Sequence, residues 1–325
     1  MDKDVAHICQ AIRDTGVPER FFIDDHVISK DTAAVLLECK ALSRISLYRL
    51  PDDEVEALHN TLRLLPMCSH LKSLDLQLPG FRFRGKVSSL IAQYLTDTTA
   101  LRELRLEFFS EIWPFDWSYP MLLQALSNNK SIRRLSLERF SITEEEARVL
   151  VEMLQSSRTL CRFSFHPHNC QTSTSVILML SPIISSNYML IDMRTNWRQS
   201  YFGWYPIKDV MRRNNSLVTR AAHFVMGTRH KHCAAAAELM QFNPGLVEKV
   251  QELASVDENE AVSRIEDSLK SFSELDDFMC LAGIVKYGVT CKRRDDGQKQ
   301  LVDLNRDCWL HIRQFLKVGD ILDPK

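Results

Sequence analysis

A short apolar pattern of the form L-x-x-L-x-L recurs along the first two thirds of the chain. Its apolar positions are Leu42-Ile45-Leu47, Leu71-Leu74-Leu76, Leu101-Leu104-Leu106, Ile132-Leu135-Leu137, Leu160-Phe163-Phe165 and, more weakly, Tyr188-Ile191-Met193. The first members lie 29, 30, 31, 28 and 28 residues apart, and Leu217 would begin a seventh unit. Because the last two apolar residues of each motif alternate with polar ones, the pattern predicts half-buried β-strands.

A helical pattern follows the strand pattern within the same units. In residues 144–154 the apolar side chains fall at i, i+3, i+4 and i+7, which is one face of a helix. Thr143 precedes this helix and Glu146 follows three residues later, a spacing that predicts a capping box. Residues 52–65 and 86–95 show the same apolar spacing. Since one strand and one helix cannot bury these faces alone, we expect stacked units that form a curved parallel sheet with helices on its convex side.

The repeated unit resembles the ribonuclease-inhibitor class of leucine-rich repeats, which also occurs at the end of NOD-like receptors. The resemblance covers residues 17–217 and implies an α/β leucine-rich-repeat solenoid over 1–217. Residues 1–41 would then be a degenerate N-terminal cap repeat, with a strand at 21–23 and a helix at 32–39. The resemblance implies a protein-binding scaffold, and the alternative is an innate-immune sensor or regulator fragment of the NOD-like-receptor type. Because no G-x-x-x-x-G-K-[ST] motif occurs, such a fragment would lack its own ATPase module.

The residues between the apolar positions are expected to point off the open, concave face of the sheet and to form columns across the repeats. Asp192 is expected in the column of Ser164, and Arg194 in the column of His166. These columns carry mixed charges with few aromatic residues. They form either a solvated face whose neighbouring charges pair with each other, or a polar surface that binds a partner protein. The candidate partner-binding residues on this face are Tyr48, Asp75, Arg105, Glu107, Arg134, Glu138, Arg162, His166 and Arg194.

Two aromatic segments, 108–119 and 197–205, follow the third and sixth motifs and hold four of the five tryptophans. Loops that follow the strands are expected along the rim beside the concave face. Exposed aromatic side chains there would anchor a partner, since Trp and Tyr dominate binding hot spots. The alternative is that the rings fold inward and fill space between neighbouring loops. The candidate rim residues are Trp113, Phe115, Trp117, Tyr119, Trp197, Tyr201, Trp204 and Tyr205.

The period stops near residue 218, and the pattern then predicts an all-helical domain over 218–325. Helices are expected at 221–241, 246–254, 258–271 and 274–287. The last repeat of a solenoid exposes core and sheet unless something covers it. We therefore expect this domain to cap the solenoid.

Residues 302–322 resemble the first half of an F-box. Leu304 matches the opening leucine, although Asn305 replaces the usual proline, and residues 320–322 match the second turn. The resemblance implies contact with the Skp-type adaptor of a cullin ubiquitin ligase, so that the chain would act as a substrate adaptor. The alternative is an amphipathic helix that packs into the C-terminal domain, and Asn305 suits an N-cap under either interpretation. The candidate adaptor-binding residues are Leu304, Trp309, Ile312, Phe315, Leu316 and Ile321.

Composition and charge argue against several classes of function. With 41 basic and 42 acidic residues the net charge is −1, which offers no long-range attraction to nucleic acid or anionic lipid. No apolar run is long enough to span a membrane, the acidic start does not resemble a secretory signal, and nine scattered cysteines favour reduced thiols in the cytoplasm or the nucleus. Because no G-x-S-x-G, H-E-x-x-H or C-x-x-C motif occurs, we predict no catalytic site, metal or cofactor. The prediction is a non-enzymatic scaffold for a partner protein of unknown identity.

Overall fold

The computed structural model describes residues 22–27, 37, 40, 42–48, 55–79, 85–109, 119–196, 203–270, 272, 274–282 and 304–321. The chain divides into two compact units, Met1–Met211 and Arg212–Lys325. The first unit contains a parallel β-sheet with helices between its strands. The described elements of the second unit are helices.

Seven parallel strands form one sheet in the first unit, and they lie side by side in chain order. The strands are β1 (Phe22–Val27), β2 (Arg44–Tyr48), β3 (Ser73–Pro79), β4 (Glu103–Phe109), β5 (Arg134–Glu138), β6 (Arg162–His166) and β7 (Asp192–Thr195). From β2 onward a helix follows each strand before the next begins: α1 (Val55–Leu64), α2 (Lys86–Asp97), α3 (Pro120–Asn128), α4 (Glu144–Ser156) and α5 (Cys170–Leu180). The predicted α/β class with a parallel sheet is confirmed. The strand predicted at 21–23 is observed as β1, and the helix predicted at 32–39 lies largely outside the described residues.

The apolar positions of successive motifs lie in register across the sheet. Leu74 pairs with Leu104, Leu104 with Leu135, and Leu135 with Phe163, and all four side chains are buried. Because side chains alternate along a strand, the residues between these positions point to the opposite face and keep partial exposure. The hydrophobic core of this unit therefore lies between the sheet and its helices.

The predicted capping box at the start of α4 is confirmed. Thr143 Oγ1 accepts a hydrogen bond from the backbone N–H of Glu146 at 3.3 Å, and Glu146 Oε2 accepts one from the backbone N–H of Thr143 at 2.9 Å. The other carboxylate oxygen of Glu146 accepts a hydrogen bond from the backbone N–H of Tyr119, at the start of α3. The capping-box glutamate of α4 thus also bonds to the N-cap residue of α3.

A buried asparagine turns the chain from α3 into β5. Asn129 Nδ2 donates to the backbone carbonyl of Leu95 at 2.6 Å, in the preceding helix. Its Oδ1 accepts from the backbone N–H groups of Ser131 at 2.8 Å and Ile132 at 2.9 Å. These bonds satisfy main-chain groups that the turn hides from water.

Asn187 makes the same turn before β7, and it reveals an error in the predicted register. Its Nδ2 donates to the carbonyl of Leu154 at 2.9 Å, and its Oδ1 accepts from the N–H of Leu190 at 2.8 Å. Each asparagine lies three residues before the first apolar residue of the following motif. In the sixth motif that residue is therefore Leu190, which is 1% exposed, and not the predicted Tyr188, which is 38% exposed.

The seventh motif predicted at Leu217 is wrong, because Leu217 lies inside a long helix, α6 (Trp204–Val225). Ile207, Val210, Val218 and Ala221 are buried at helical spacing, so this segment follows a period near 3.6 and not the alternation of a strand.

The helix predicted at 221–241 is two helices. α6 ends at Val225, Gly227 has a φ of +101°, and α7 (Lys231–Met240) begins after His230, whose Nδ1 accepts from the N–H of His232. A left-handed backbone at Gly227 is easy for glycine and ends the first helix.

The second unit contains four further described helices. They are α8 (Pro244–Ala254), α9 (Glu258–Lys270), α10 (Leu275–Leu281) and α11 (Arg306–Arg313). The helices predicted at 246–254 and 258–271 are confirmed within one or two residues. The helix predicted at 274–287 is confirmed over α10, and the rest of that prediction lies outside the described residues.

Candidate functional site

The polar side of the sheet carries a broad groove. We call this surface the sheet face and define it as the alternate residues of β2–β7 that point away from the core, from Arg44 at one end to Arg194 at the other. The groove encloses about 900 Å³. Its walls are arginine, aspartate, glutamate, glutamine and serine side chains, and its floor includes edges of the apolar ladder such as Leu104 and Phe163.

Arg105 is the centre of an ion-pair network on this face. Its Nε and Nη2 donate to the two carboxylate oxygens of Glu138 at 2.9 and 3.0 Å, which is the bidentate geometry typical of a guanidinium–carboxylate pair. Nη1 lies 3.2 Å from Asp75 Oδ2, and Nη2 lies 3.2 Å from Glu107 Oε2. The network therefore joins β3, β4 and β5 through side chains.

The network shifts the pKa values of its members in different directions. The hydrogen bond to Glu138 raises the pKa of Arg105, burial opposes this rise, and the charges of the surrounding carboxylates add to it. Burial alone would raise the pKa of Glu138, but the hydrogen bond and charge of Arg105 outweigh burial, so this pKa lies below its ordinary value. At Asp75 burial is the larger effect, and the pKa of this carboxyl is raised in spite of Arg105.

A second group of ion pairs surrounds Glu103. Glu103 Oε1 lies 2.9 Å from Arg134 Nη1, and Oε2 lies 3.3 Å from Arg44 Nη2. Ser73 Oγ donates to the same Oε2 at 3.3 Å. Side-chain contacts thus run from β2 to β5. Glu103 is not among the predicted candidates, although it is in register with Arg134, which is one of them.

The β6–β7 end of the face differs from the predicted columns. Asp192 pairs with Arg162 and Arg194 pairs with Ser164 in the strand register, so both predicted positions are wrong by two residues. The cause is the choice of Tyr188 instead of Leu190 as the start of the sixth motif. Arg194 keeps 72% of its side chain exposed, and its Nε lies 3.0 Å from Asp192 Oδ2.

Eight of the nine predicted concave-face residues lie on the sheet face; they are Asp75, Arg105, Glu107, Arg134, Glu138, Arg162, His166 and Arg194. The side chain of the ninth, Tyr48, lies outside the described residues. The expected pairing of neighbouring charges is observed around Arg105 and Glu103. The paired charges around Arg105 keep part of their side chains exposed, so pairing leaves them accessible to a partner.

The prediction that Tyr119 anchors a partner at the rim is wrong, because its side chain is 1% exposed. Its ring stacks on Phe108 with centroids 5.6 Å apart and lies 4.8 Å from Phe140. Burial and the nearby charge of Glu146 raise the pKa of the Tyr119 hydroxyl. For this residue the alternative of an inward ring is therefore correct.

The other rim candidates divide into described and undescribed residues. Trp113, Phe115, Trp117, Trp197 and Tyr201 lie outside the described residues. Trp204 packs partly against the core of the first unit. Tyr205, one residue further along α6, is 55% exposed and is available for contact.

Residues 304–321 include the short helix α11, whose apolar side is partly exposed. Asn305 Oδ1 accepts from the backbone N–H of Cys308 at 2.9 Å, so the expected N-cap is confirmed. No residue of α11 is buried, and Phe315 just after it is 73% exposed. The remaining candidates are partly exposed; they are Leu304, Trp309, Ile312, Leu316 and Ile321.

Arg313 fixes this segment to the other helices of the second unit. Its guanidinium lies 3.8 Å from the centroid of the Phe278 ring and donates to the carbonyl of Phe272 at 3.1 Å. It also lies 3.5 Å from Glu238 Oε1, with both side chains nearly buried. Glu238 Oε2 in turn accepts from the backbone N–H of Val318 at 2.8 Å, and Val318 is buried.

Two other kinds of site are absent from the described ranges. No helix there is long and apolar enough to cross a membrane. No group of three or more His, Cys, Asp or Glu residues there could hold a metal ion. In comparisons with known proteins, no protein-family model matches this chain and no curated protein matches it.

Proposed function

We propose that this protein is a non-enzymatic interaction scaffold, a leucine-rich-repeat solenoid that binds a partner protein through its sheet face and rim. The observation that carries the proposal is the parallel sheet in chain order, with the motif residues of successive units in register. A repeating strand-and-helix unit of 28–31 residues with this pairing is the arrangement that the leucine-rich-repeat pattern requires.

The sheet face suits a protein partner because it is long, polar and preorganised. Neighbouring strands lie roughly 4.8 Å apart, so the six strands from β2 to β7 extend over about 24 Å. The ion pairs of Arg105 and Glu103 hold their side chains in place before binding, which lowers the entropy lost when a partner docks.

The charges of Glu138 and Arg105 favour a role in binding over a role in acid–base catalysis. A general acid or base works best with a pKa near the working pH. The pKa of Glu138 is lowered and that of Arg105 is raised, so both groups stay charged near neutral pH. These residues therefore suit recognition and structural support.

Site-specific photo-crosslinking in a cell lysate tests the proposal. A photoreactive amino acid at Ser164, on the sheet face, should capture a protein partner, whereas the same group at Gln124, exposed on α3, should not capture that species. Arg194→Glu should reduce the capture at Ser164, and Arg148→Glu on the outer side of α4 should leave it unchanged. Equal capture at Ser164 and Gln124, or no capture at Ser164, would contradict the proposal.

A ubiquitin-ligase adaptor role is a second candidate, and the exposure of Phe315 favours it. In an F-box the equivalent apolar side chains contact the Skp-type adaptor, and here Trp309, Ile312 and Phe315 all retain exposed surface. A purified Skp-type adaptor should bind the full chain and lose affinity for Phe315→Ala. Phe242→Ala, a change of an equally exposed ring in another turn, is the matched control. Absence of binding to the unchanged chain would remove this candidate.

The proposed compartment is the cytoplasm, with the nucleus as the alternative. Six described cysteines are in the thiol form and not in disulfide bonds, and the buried Cys68 and Cys161 are among them. Burial raises the pKa of Cys68 to about 11, so this thiol stays protonated and unreactive. Free thiols are typical of reducing compartments.

A further inference from the structure

The two ends of the sheet face differ in charge. From β2 to β5, the acidic groups of the face each contact an arginine: Glu103 contacts Arg44 and Arg134, while Asp75, Glu107 and Glu138 contact Arg105. On β6 and β7 the face carries Arg162, Asp192 and Arg194, with His166 at the end of β6. This end therefore has one positive charge in excess.

We propose that the β6–β7 end of the sheet face binds an acidic, extended segment of the partner protein, whose carboxylates lie between Arg162 and Arg194. This inference rests on the proposed function and names the chemistry of the partner. We call this end of the face the basic end and define it as Arg162, Ser164, His166, Asp192 and Arg194.

The strand register places the donors at a spacing that suits carboxylates. Ser164 is directly beside Arg194 on the neighbouring strand, so Arg162 and Arg194 are diagonal neighbours, roughly 7–8 Å apart at their backbones. Two guanidinium groups at this spacing can each approach a carboxylate of an extended chain with a two-pronged hydrogen bond. Ser164 is in register with Arg194 and lies two residues from Arg162 on β6, and its half-exposed side chain adds a hydroxyl at the same end of the face.

Asp192 is the internal competitor for the ligand. Its Oδ2 lies 3.0 Å from Arg194 Nε, on the same strand. Because Arg194 is mostly exposed, this contact holds the guanidinium at the surface without enclosing it. An incoming carboxylate must share or displace Asp192, so removal of the aspartate charge should strengthen binding.

The remaining charges favour an acidic peptide over a nucleic acid. The acidic groups Glu107 and Glu138 lie on β4 and β5 of the same face, and the whole chain has a net charge of −1. A continuous phosphate backbone laid along the face would meet these carboxylates, whereas a peptide can place separate carboxylates at the basic end alone.

Fluorescence anisotropy with two labelled eight-residue peptides tests the inference on the full chain. One peptide alternates Glu with Gly, and the other alternates Gln with Gly. The Glu peptide should bind and the Gln peptide should bind at least roughly tenfold more weakly, since a charge-assisted hydrogen bond contributes enough for about that factor. Arg162→Gln and Arg194→Gln should each weaken binding of the Glu peptide several-fold, while Asp192→Asn should tighten it.

Arg44→Gln is the matched control, because Arg44 lies on the same face at the far end of the groove. It should leave Glu-peptide affinity unchanged. Equal binding of the two peptides, no binding of the Glu peptide, or an equal loss with Arg44→Gln would each overturn the inference. If crosslinking at Ser164 still captures a partner in that case, the scaffold proposal stands and only the acidic-segment inference fails.

Discussion

The sheet unit and the helical unit position their buried polar groups in contrasting ways. In the sheet unit, Asn129 and Asn187 make the same set of backbone hydrogen bonds in two different repeats, and each serves its own turn. In the helical unit, the single side chain of Arg313 contacts Glu238, the Phe272 carbonyl and the Phe278 ring. In the sheet unit the same local hydrogen-bonded turn recurs in separate repeats. In the helical unit one side chain connects three segments of the chain.

The difference teaches how each unit should respond to damage. In a stack of repeats, each repeat contacts mainly its neighbours. The loss of the hydrogen bonds at one asparagine turn should therefore destabilise only the surrounding repeats. A nearly buried ion pair leaves an uncompensated charge when one partner is removed, and every segment that depended on it is affected. Perturbing one residue in each unit tests this contrast.

Arg313→Ala should give the largest effect. It removes the contact with the Phe278 ring, the bond to the Phe272 carbonyl and the charge opposite Glu238, which is only about 15% exposed. We expect a loss of about 2–3 kcal/mol from the free energy of unfolding of the helical unit. Residues 305–321 should also lose amide protection in hydrogen-exchange mass spectrometry, because Val318 bonds to the same Glu238.

Arg264→Ala is the matched control for Arg313. Arg264 also forms an ion pair, with Glu260 at 2.8 Å, but that pair lies on the surface of α9. Its removal should change the free energy of unfolding by less than about 0.5 kcal/mol. If both variants lose equal stability, or if exchange in 305–321 is unchanged in Arg313→Ala, then Arg313 does not hold the C-terminal segment.

Asn129→Ala should have a smaller and more local effect. The substitution leaves the N–H groups of Ser131 and Ile132 and the carbonyl of Leu95 without their partner in a buried turn. We expect a loss of about 1–2 kcal/mol, with faster exchange at this turn and unchanged exchange in β7.

The adjacent Asn128→Ala supplies the control for Asn129. Asn128 is exposed at the end of α3, so the same chemical change there should cost less than about 0.5 kcal/mol. Comparable losses in the two variants would show that the effect comes from asparagine chemistry in general and not from the buried turn.

The repeat could be predicted because its signal is simple. Alternation sends Leu104 and Leu135 to the same side of the sheet, and a spacing near 30 residues brings them together in adjacent strands. The pattern failed where two apolar residues competed for one position. Tyr188 and Leu190 both fit the first position of the sixth motif, and the choice depends on the turn made by Asn187. An asparagine three residues before the motif, as at Asn129 and Asn187, would have identified the correct first position.

The candidate site was less predictable than the fold. Arg105 and Glu138 were both predicted candidates, but Arg105 can reach carboxylates on both adjacent strands, and only side-chain conformation makes Glu138 the bidentate partner. Tyr119 shows a second limit. An aromatic residue near the end of a loop looks exposed in sequence, yet Phe108 and Phe140 form a ring cluster that buries it.

The smallest effects should appear in the pH dependence of the stability of the sheet unit. The pKa values of Glu138 and Asp75 are shifted in opposite directions there, so their protonation has opposite effects on stability. The pKa of Glu138 is lowered from 4.5 in the folded state. Its contribution to stability is therefore present above 4.5 and is lost as pH falls through the folded pKa. Glu138→Gln removes this dependence, so the loss of stability on acidification below about pH 5 should become smaller.

Asp75 should change the same profile in the opposite direction. Its pKa is raised from 3.8 because burial disfavours the charged carboxylate, so the folded state binds a proton more readily than the unfolded state. Protonation of Asp75 therefore offsets part of the acid loss, and Asp75→Asn should make that loss larger. Because Arg105 is partly exposed, each change should be about 0.5 kcal/mol between pH 7 and pH 4, measurable by denaturant titration. Shifts of the same sign in both variants would mean that the two carboxylates do not respond to Arg105 and burial as the geometry requires.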